Sequence, residues 1–435
     1  MAYNPVTMPV TMQPLSLGQW LQRLERLHFK AIDMGLERVS QVAQALNLYA
    51  GLPFIFTVGG TNGKGSTVAF LESILRAGGY SVGAYTSPHL IQFNERVRVN
   101  GIDVSDAQLV SAFEQVEQAR GGVSLTYFEF TTLAALLIFK QAKLDALVLE
   151  VGLGGRLDAV NLWDADVAVI TSIDLDHQAF LGDTREKIGL EKIGIGRPGR
   201  PLILGESNAP SLVLESLQAL GIPFWQAGRD FFFQPHEKDW NFIGKNYEQQ
   251  RHEQNKLPLP TLFTGNAAAA LQALALSPFQ LSQEALHAGL KNAALTGRQQ
   301  IVQHKPDLML DVGHNPHAAA HLARRLRGAH YRQVHCIIGM LRDKVLADTV
   351  VELLPVVDCW YPVTLGGERG QGAETIAAEL HQAGARVGFL AQSPAQACHR
   401  LLQQVAHNDL ILVFGSFYTV ADVIQYRARM AAVGS

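Results

Sequence analysis

The run Thr57-Val58-Gly59-Gly60-Thr61-Asn62-Gly63-Lys64-Gly65-Ser66-Thr67 constrains this chain more than any other segment. It follows an apolar strand pattern (Phe54, Ile55, Phe56, Val58) and leads into a helical pattern over 67–77 that Gly78-Gly79 would end. A glycine loop between a strand and a helix turns successive backbone N–H groups toward an anion at the positive end of the helix dipole. In such a loop Lys64 would neutralise outer phosphates, and Ser66 or Thr67 would reach a metal or a phosphate oxygen. The strict GxxxxGK[ST] spacing is not kept: Val58 stands where the first glycine would fall, and Gly65 follows the lysine.

The surrounding pattern is an α/β alternation. Strand-like runs recur at 80–85, 146–151, 166–173 and 202–204, and helical runs at 17–27, 131–143 and 266–276. This predicts a P-loop NTPase-like domain with a mostly parallel sheet covered on both faces. The polar stretch 231–260 reads as a hairpin or a surface excursion. Leu295-Thr296-Gly297-Arg298 reads as a hinge, after which strand patterns restart at 307–312, 335–339, 387–391 and 410–414. We therefore expect a larger domain over 1–296, with an N-terminal helical arm, and a smaller Rossmann-like α/β domain over 297–435. Both are of ordinary domain size or somewhat above it.

Composition narrows the function classes. The chain has 435 residues, with 36 Lys+Arg against 39 Asp+Glu, and 17% of its residues are charged. That balance gives no reason to expect nucleic acid or a membrane surface as partner. No apolar run reaches the roughly 18 residues of a membrane span; the stretch 131–139 is cut by Lys140. Three separated cysteines and no secretory pattern point to a reducing compartment, the cytoplasm.

Other chemistry-bearing residues sit where sheets of this kind place their sites, at the carboxyl ends of parallel strands. Glu150 ends an apolar strand and is either a solvated carboxylate or, as in P-loop enzymes, a metal ligand. Arg156 and Asp158, among glycines, would position a substrate or form an ordinary ion pair. His177 follows the strand at 166–173 as a metal ligand or a hydrogen-bond donor, while Lys192 on its own reads as a solvated helix charge. In the second domain Asp311-Val312-Gly313-His314-Asn315-Pro316 clusters an acid, an imidazole and an amide at a strand end, and Gly415-Ser416-Phe417 is a similar loop. The first would face the crevice between the domains or be an Asx turn before a helix, and the second is a site loop or an ordinary turn.

Taken together, GTNGKGS (60–66), TSPHL (86–90), FNERVRVNG (93–101), TYFEFTTLAAL (126–136), LEVGLGGRLDAVN (149–161), SIDLDHQAFLG (172–182), EKIGIGRP (191–198), DVGHNP (311–316) and FGSFYTV (414–420) resemble the Mur ligase superfamily, and within it the folylpolyglutamate synthases. The resemblance runs from Trp20 to Val423. It implies an ATP-dependent ligase that phosphorylates a substrate carboxylate and lets the amine of L-glutamate displace the phosphate. By position it implies that Thr61, Asn62, Gly63, Lys64, Gly65 and Ser66 hold the ATP phosphates. Asn266, Arg298 and Asp311 would contact the nucleotide. Ser87, Glu150 and His177 would be Mg²⁺ ligands, with two ions bound. Lys192 would be carbamylated, which turns a cation into a carboxylate able to assist the metal. His314 and Ser416 would lie near the incoming glutamate. His28, Thr126, Tyr127, Phe128, Glu129, Leu157, Asp158 and Ala159 would surround the pteroyl substrate. The run LERLHFKAIDMGLERV (24–39) and the TYFEF phrase resemble the members that accept dihydropteroate as well as reduced folates. A monomer is expected.

Three other classes fit less well. A cell-wall Mur ligase carries an additional N-terminal domain, whereas about 50 residues precede the glycine loop here. A nucleotide switch has no use for a second domain bearing His314, and the Asn/Thr-Lys-x-Asp guanine motif is absent. A dinucleotide oxidoreductase would carry GxGxxG, and residues 59–64 read Gly-Gly-Thr-Asn-Gly-Lys.

Overall fold

The computed structural model describes residues 15–30 and 32–433. Its larger sheet has eight strands in the spatial order Ile102–Asp103, Val97–Val99, Val82–Tyr85, Ala146–Glu150, Phe54–Gly59, Val167–Ile170, Leu202–Leu204 and Phe224–Gln226. From Val82–Tyr85 onward every pairing is parallel, and only the edge pair at 97–103 runs antiparallel. The central strands are apolar on both faces because helices cover both. One face receives Asp106–Arg120 and Tyr127–Ala142, the latter so deep that every residue from Glu129 to Phe139 is buried. Lys64–Ala77, Thr264–Ala275 and Gln283–Asn292 cover the other.

Several element boundaries depart from the periodicity. The helix expected from Thr131 starts at Tyr127, because Thr126 and Glu129 form a capping box: the Thr126 hydroxyl accepts from Glu129 N, and the Glu129 carboxylate accepts from Thr126 N at 2.7 Å. The helix expected from Thr67 starts at Lys64, directly on the glycine loop. The polar stretch at 231–260 is a three-stranded antiparallel sheet (Phe232–Pro235, Asp239–Lys245, Arg251–Pro258). Its middle strand alternates, with Trp240 and Phe242 turned inward.

The second sheet orders Gln300–Gln303, Asp307–Asp311, Leu410–Phe414, Val334–Ile338 and Cys359–Pro362, parallel except for the first strand. The strand expected at 387–391 does not form. That segment makes only isolated bridges, Val387 to Trp360 and Ala391 to Val363. It lies at the sheet edge with Leu390 exposed, so its apolar residues gain too little burial to extend the ladder. Cys336, Cys359 and Cys398 are free thiols, and no helix among the described residues is long and apolar enough to cross a membrane.

At the amino end of this sheet Asp409 is fully buried. Its carboxylate accepts from Arg332 Nε at 2.8 Å and Nη2 at 2.7 Å, and from Ala406 N at 2.8 Å. These donors, Arg332 foremost, hold its pKa down to about 2. A carboxyl depressed in the folded state stabilises the fold above its unfolded pKa of about 4, and that contribution fades as pH falls through about 2. Asp409→Asn is expected to cost about 1 kcal/mol near neutrality, since the ion pair is lost but its Arg332 end is half-exposed and screened by water. The deficit should shrink toward pH 2 in denaturant titrations; a pH-independent difference would contradict the ion-pair origin.

Candidate functional site

The glycine loop is held open by its neighbour strand. Thr61 N donates to Ser172 O at 2.9 Å and Asn62 N to Ser172 Oγ at 3.0 Å, while Thr171 Oγ1 donates to Asn62 O at 2.6 Å. Gly63, at φ +89°, caps the helix, so the N–H groups of Lys64, Gly65 and Ser66 have no acceptor within it. These are the donors an anion would meet. A Cβ at Gly63 would fall 2.6 Å from Asn266 Oδ1, and the left-handed backbone adds strain. Gly63→Ala should therefore push Asn266 and the loop apart and raise KM for ATP at least tenfold; an unchanged KM would mean that the loop does not touch the nucleotide.

Lys64 Nζ donates to Gly60 O at 2.9 Å and Thr61 O at 3.2 Å, folded back on its own loop. Burial lowers its pKa, and the Glu150 carboxylate opposes the shift. Glu150 pairs in register with Val58, so it ends its strand beside the loop. It is buried, its Oε2 accepts from Ser87 N at 3.1 Å, and Oε1 receives no hydrogen bond from the described residues. Burial raises its pKa, against the pull of Lys64.

Among the described residues no group of three or more His, Cys, Asp or Glu side chains is gathered to hold a metal. The Glu150 carboxylate with a free oxygen, beside Ser87, nonetheless suits a hard divalent cation that keeps water and takes substrate phosphate oxygens. His177 stands in the left-handed region at φ +50° with its ring half-exposed, and its Nε2 lies 3.8 Å from Asp176 Oδ2.

The expectation that Lys192 is a solvated charge is overturned. It is 3% exposed and faces a small cavity shared with Lys64, Asp176 and His177. Burial, reinforced by the charge of Lys64, lowers its pKa to about 7. Arg156 pairs with Glu191 at 2.8 Å and not with Asp158. Asp158 instead accepts from Leu153 N and Val160 N, and burial pushes its pKa up to about 6.

The second domain closes the site. Asn315 Nδ2 donates to Asn62 Oδ1 at 2.9 Å, and Lys344 Nζ to Asp176 Oδ1 at 2.9 Å. Asp311 is buried at its strand end, with Arg298 opposing the rise that burial imposes on its pKa. His314 Nδ1 sits 3.0 Å from Val312 O, and burial lowers its pKa to about 4. The imidazole is therefore neutral at pH 7, donating through Nδ1 and presenting a lone pair on Nε2. Ser416 Oγ accepts from Thr419 N at 3.0 Å, which ties that hydroxyl to the start of the last helix.

Two cavities meet here. One, of about 630 Å³, lies between Lys64, Glu150 and His177 on one side and His314 and Ser416 on the other, and reaches Thr126, Phe128, Glu129, Leu157, Asp158 and Ala159. The other, of about 480 Å³, is walled by Phe233, Phe263, His317 and His321 and by Asn266 and Asp311. Asn62, Gly63, Gly65 and Arg298 line both. Two of the expected substrate residues lie outside the first cavity. His28 spends both ring nitrogens on Ser124 Oγ and Asp33 Oδ2, and Tyr127 packs under the Arg96 guanidinium. Sequence reasoning missed the aromatic wall of the second cavity and Lys344; no local pattern marks a Phe263 ring 4.1 Å from that of His321.

A phosphate-binding loop and a second α/β domain bearing an imidazole across one cleft define an acid–amino-acid ligase of the Mur type. Residues 58–201 match the Mur ligase middle domain, and residues 297–417 the Mur ligase glutamate ligase domain. The dihydrofolate synthase/folylpolyglutamate synthase of Escherichia coli K12 is 46% identical over 410 residues, covering 94% of this chain and 95% of that one. A structure of E. coli FolC in complex with DHPP and ADP superposes with a TM-score of 0.91 at 45% identity, over 97% of this chain and 99% of that one. A bifunctional folylpolyglutamate synthase/dihydrofolate synthase with Mn, AMPPNP and L-glutamate bound gives 0.86 at 44% identity, over 97% and 98%. The chain belongs to the dihydrofolate synthase/folylpolyglutamate synthase family. It is an ATP-dependent ligase that joins an acid to an amino acid through a carbon–nitrogen bond.

Proposed function

We propose that the chain activates dihydropteroate and folylpolyglutamates alike, each as an acyl phosphate, and captures it with the amine of L-glutamate. The observation that carries this reading is the meeting of two cavities at one glycine loop. A nucleotide in the aromatic-walled cavity and an acid in the larger one would put γ-phosphate and carboxylate on either side of Gly63–Gly65. A carboxylate is a poor electrophile with a poor leaving group, and phosphorylation supplies a good one.

In this reading the loop N–H groups of residues 61–66 orient the phosphates, and Lys64 leaves its loop carbonyls to stabilise the transferring phosphoryl group. Asn266, Arg298 and Asp311 position the nucleotide, Arg298 from the hinge. Ser87, Glu150 and His177 would hold Mg²⁺, two ions in all, which supply charge neutralisation at the phosphate oxygens when bound. Lys192 would add a carboxylate to that site as a carbamate: its amine, with a pKa near 7, is largely neutral at physiological pH and takes up CO₂ with loss of a proton. His314, neutral and with Nε2 free, accepts the proton that the glutamate nitrogen sheds as its amine attacks the acyl carbon and phosphate leaves, while Ser416 shapes the glutamate end. Domain closure excludes water from the acyl phosphate. Buried free cysteines are consistent with a cytoplasmic protein, and we expect a monomer.

The test supplies dihydropteroate, and separately tetrahydrofolate, with ATP and glutamate, and weighs the products. Addition of one glutamate to both supports the bifunctional reading; addition to tetrahydrofolate alone would mean a monofunctional folylpolyglutamate synthase. Brisk ADP release without glutamate would contradict a ligase.

A further inference from the structure

One charged cluster at the rim of the larger cavity has no part in the chemistry above. Arg38 lies between two acids from different parts of the chain. Its Nη1 is 2.8 Å from Asp33 Oδ2, and its Nη2 donates to Asp33 O and to Glu129 Oε1, each at 2.9 Å. Asp33 belongs to the segment Ile32–Gly35, which lines the cavity, and Glu129 opens the helix whose first turn lines it opposite. The other oxygen of Glu129 accepts from Thr126 N, so the carboxylate is fixed at both ends. His28 Nε2, held by the bond of its other nitrogen to Ser124, lies 3.2 Å from the same Oδ2, and Lys30 Nζ lies 3.5 Å from Asp33 Oδ1. Among the described residues no other cation bridges these two carboxylates.

We propose that Arg38 is a positioning residue for the pteroyl substrate: it clamps the 32–35 segment onto the start of the Tyr127–Ala142 helix and so sets the width of the cavity's outer end. This rests on the reading that this end of the cavity receives the pteroyl group. Lys30 and His28 touch Asp33 alone, whereas the planar fork of Arg38 serves both acids at once, which an ammonium cannot reproduce. Without it, two carboxylates would face each other across the substrate's entry, and their repulsion would swing the 32–35 segment outward. The nucleotide cavity lies beyond the glycine loop and shares none of these residues.

The test is a steady-state comparison of Arg38→Met, Arg38→Lys and Asp33→Asn, the last weakening the segment's half of the clamp by removing its charge while the bond to Asp33 O stays. The clamp predicts KM for dihydropteroate and for tetrahydrofolate raised tenfold or more in Arg38→Met. Values should be intermediate in the other two variants, kcat should stay within about threefold, and KM for ATP and glutamate should not change. Equal shifts in all three KM values, or none, would overturn it, as would full recovery in Arg38→Lys. Phe128→Ala, which alters the same wall without touching the clamp, separates the two levels. If it raises the pteroyl KM while Arg38→Met does not, the clamp alone is wrong. If neither does, the placement of the pteroyl group falls, and the clamp with it.

Discussion

Replacing Lys64 by alanine is expected to lower kcat by on the order of 10²-fold or more, with the fold intact. The side chain is not needed to build the loop: the strand end at 171–174 does that, through Thr171, Ser172 and Asp174. Its ammonium is half-buried in the cleft near Glu150, where water screens less than in bulk, so its charge acts strongly on a transferring phosphoryl group. In the free protein it is satisfied by Gly60 O and Thr61 O, and those short bonds can be exchanged for phosphate oxygens without moving the backbone. Single-turnover ADP formation checks this directly. A near-normal rate in Lys64→Ala would remove the lysine from the chemistry.

Lys192→Ala should cost 10- to 100-fold, the range typical of groups that support a metal from behind its ligands. Small carboxylates such as formate should restore part of the activity if the carbamate is the working form. The sign of the pH effect follows from a pKa near 7: the amine that adds CO₂ predominates above that pH and gives way to ammonium below it. Wild-type activity in CO₂-depleted buffer should therefore fall and return with bicarbonate, more completely at pH 8 than at pH 6. Isotope-labelled bicarbonate should give a carbamate carbon resonance that is lost in Lys192→Ala. Full activity in that variant, without any such resonance, would reduce Lys192 to a buried packing residue.

The pieces of the site that could be read in advance are those written in consecutive residues. The glycine loop, the strand-end Glu150 and the DVGHNP run each combine a strand period with a turn signal, and turns are local chemistry. The start of the helix at Tyr127 is also legible, as the Thr126-x-x-Glu129 capping box, although the apolar run itself begins only near Thr131. His28 resembled a substrate residue, yet Ser124 and Asp33 consume both of its nitrogens, and neither bond has a sequence pattern. The strand expected at 387–391 shows the converse. Its composition favours a strand, but position at a sheet edge decides whether an apolar run is paired.

What the amino-acid order determined alone was the anion-binding loop, the alternation of strands and helices, and the strand ends where carboxylate and imidazole stand. These depend on backbone conformation and short-range periodicity, which neighbouring residues impose. Only the tertiary structure decided that Lys192 is buried, that His314 is neutral, that Arg298 lines both cavities, and that Lys344 reaches Asp176. Such properties arise from desolvation and from contacts between distant segments. A charged side chain has the same letter in water and in a closed cleft, and packing is what changes its chemistry.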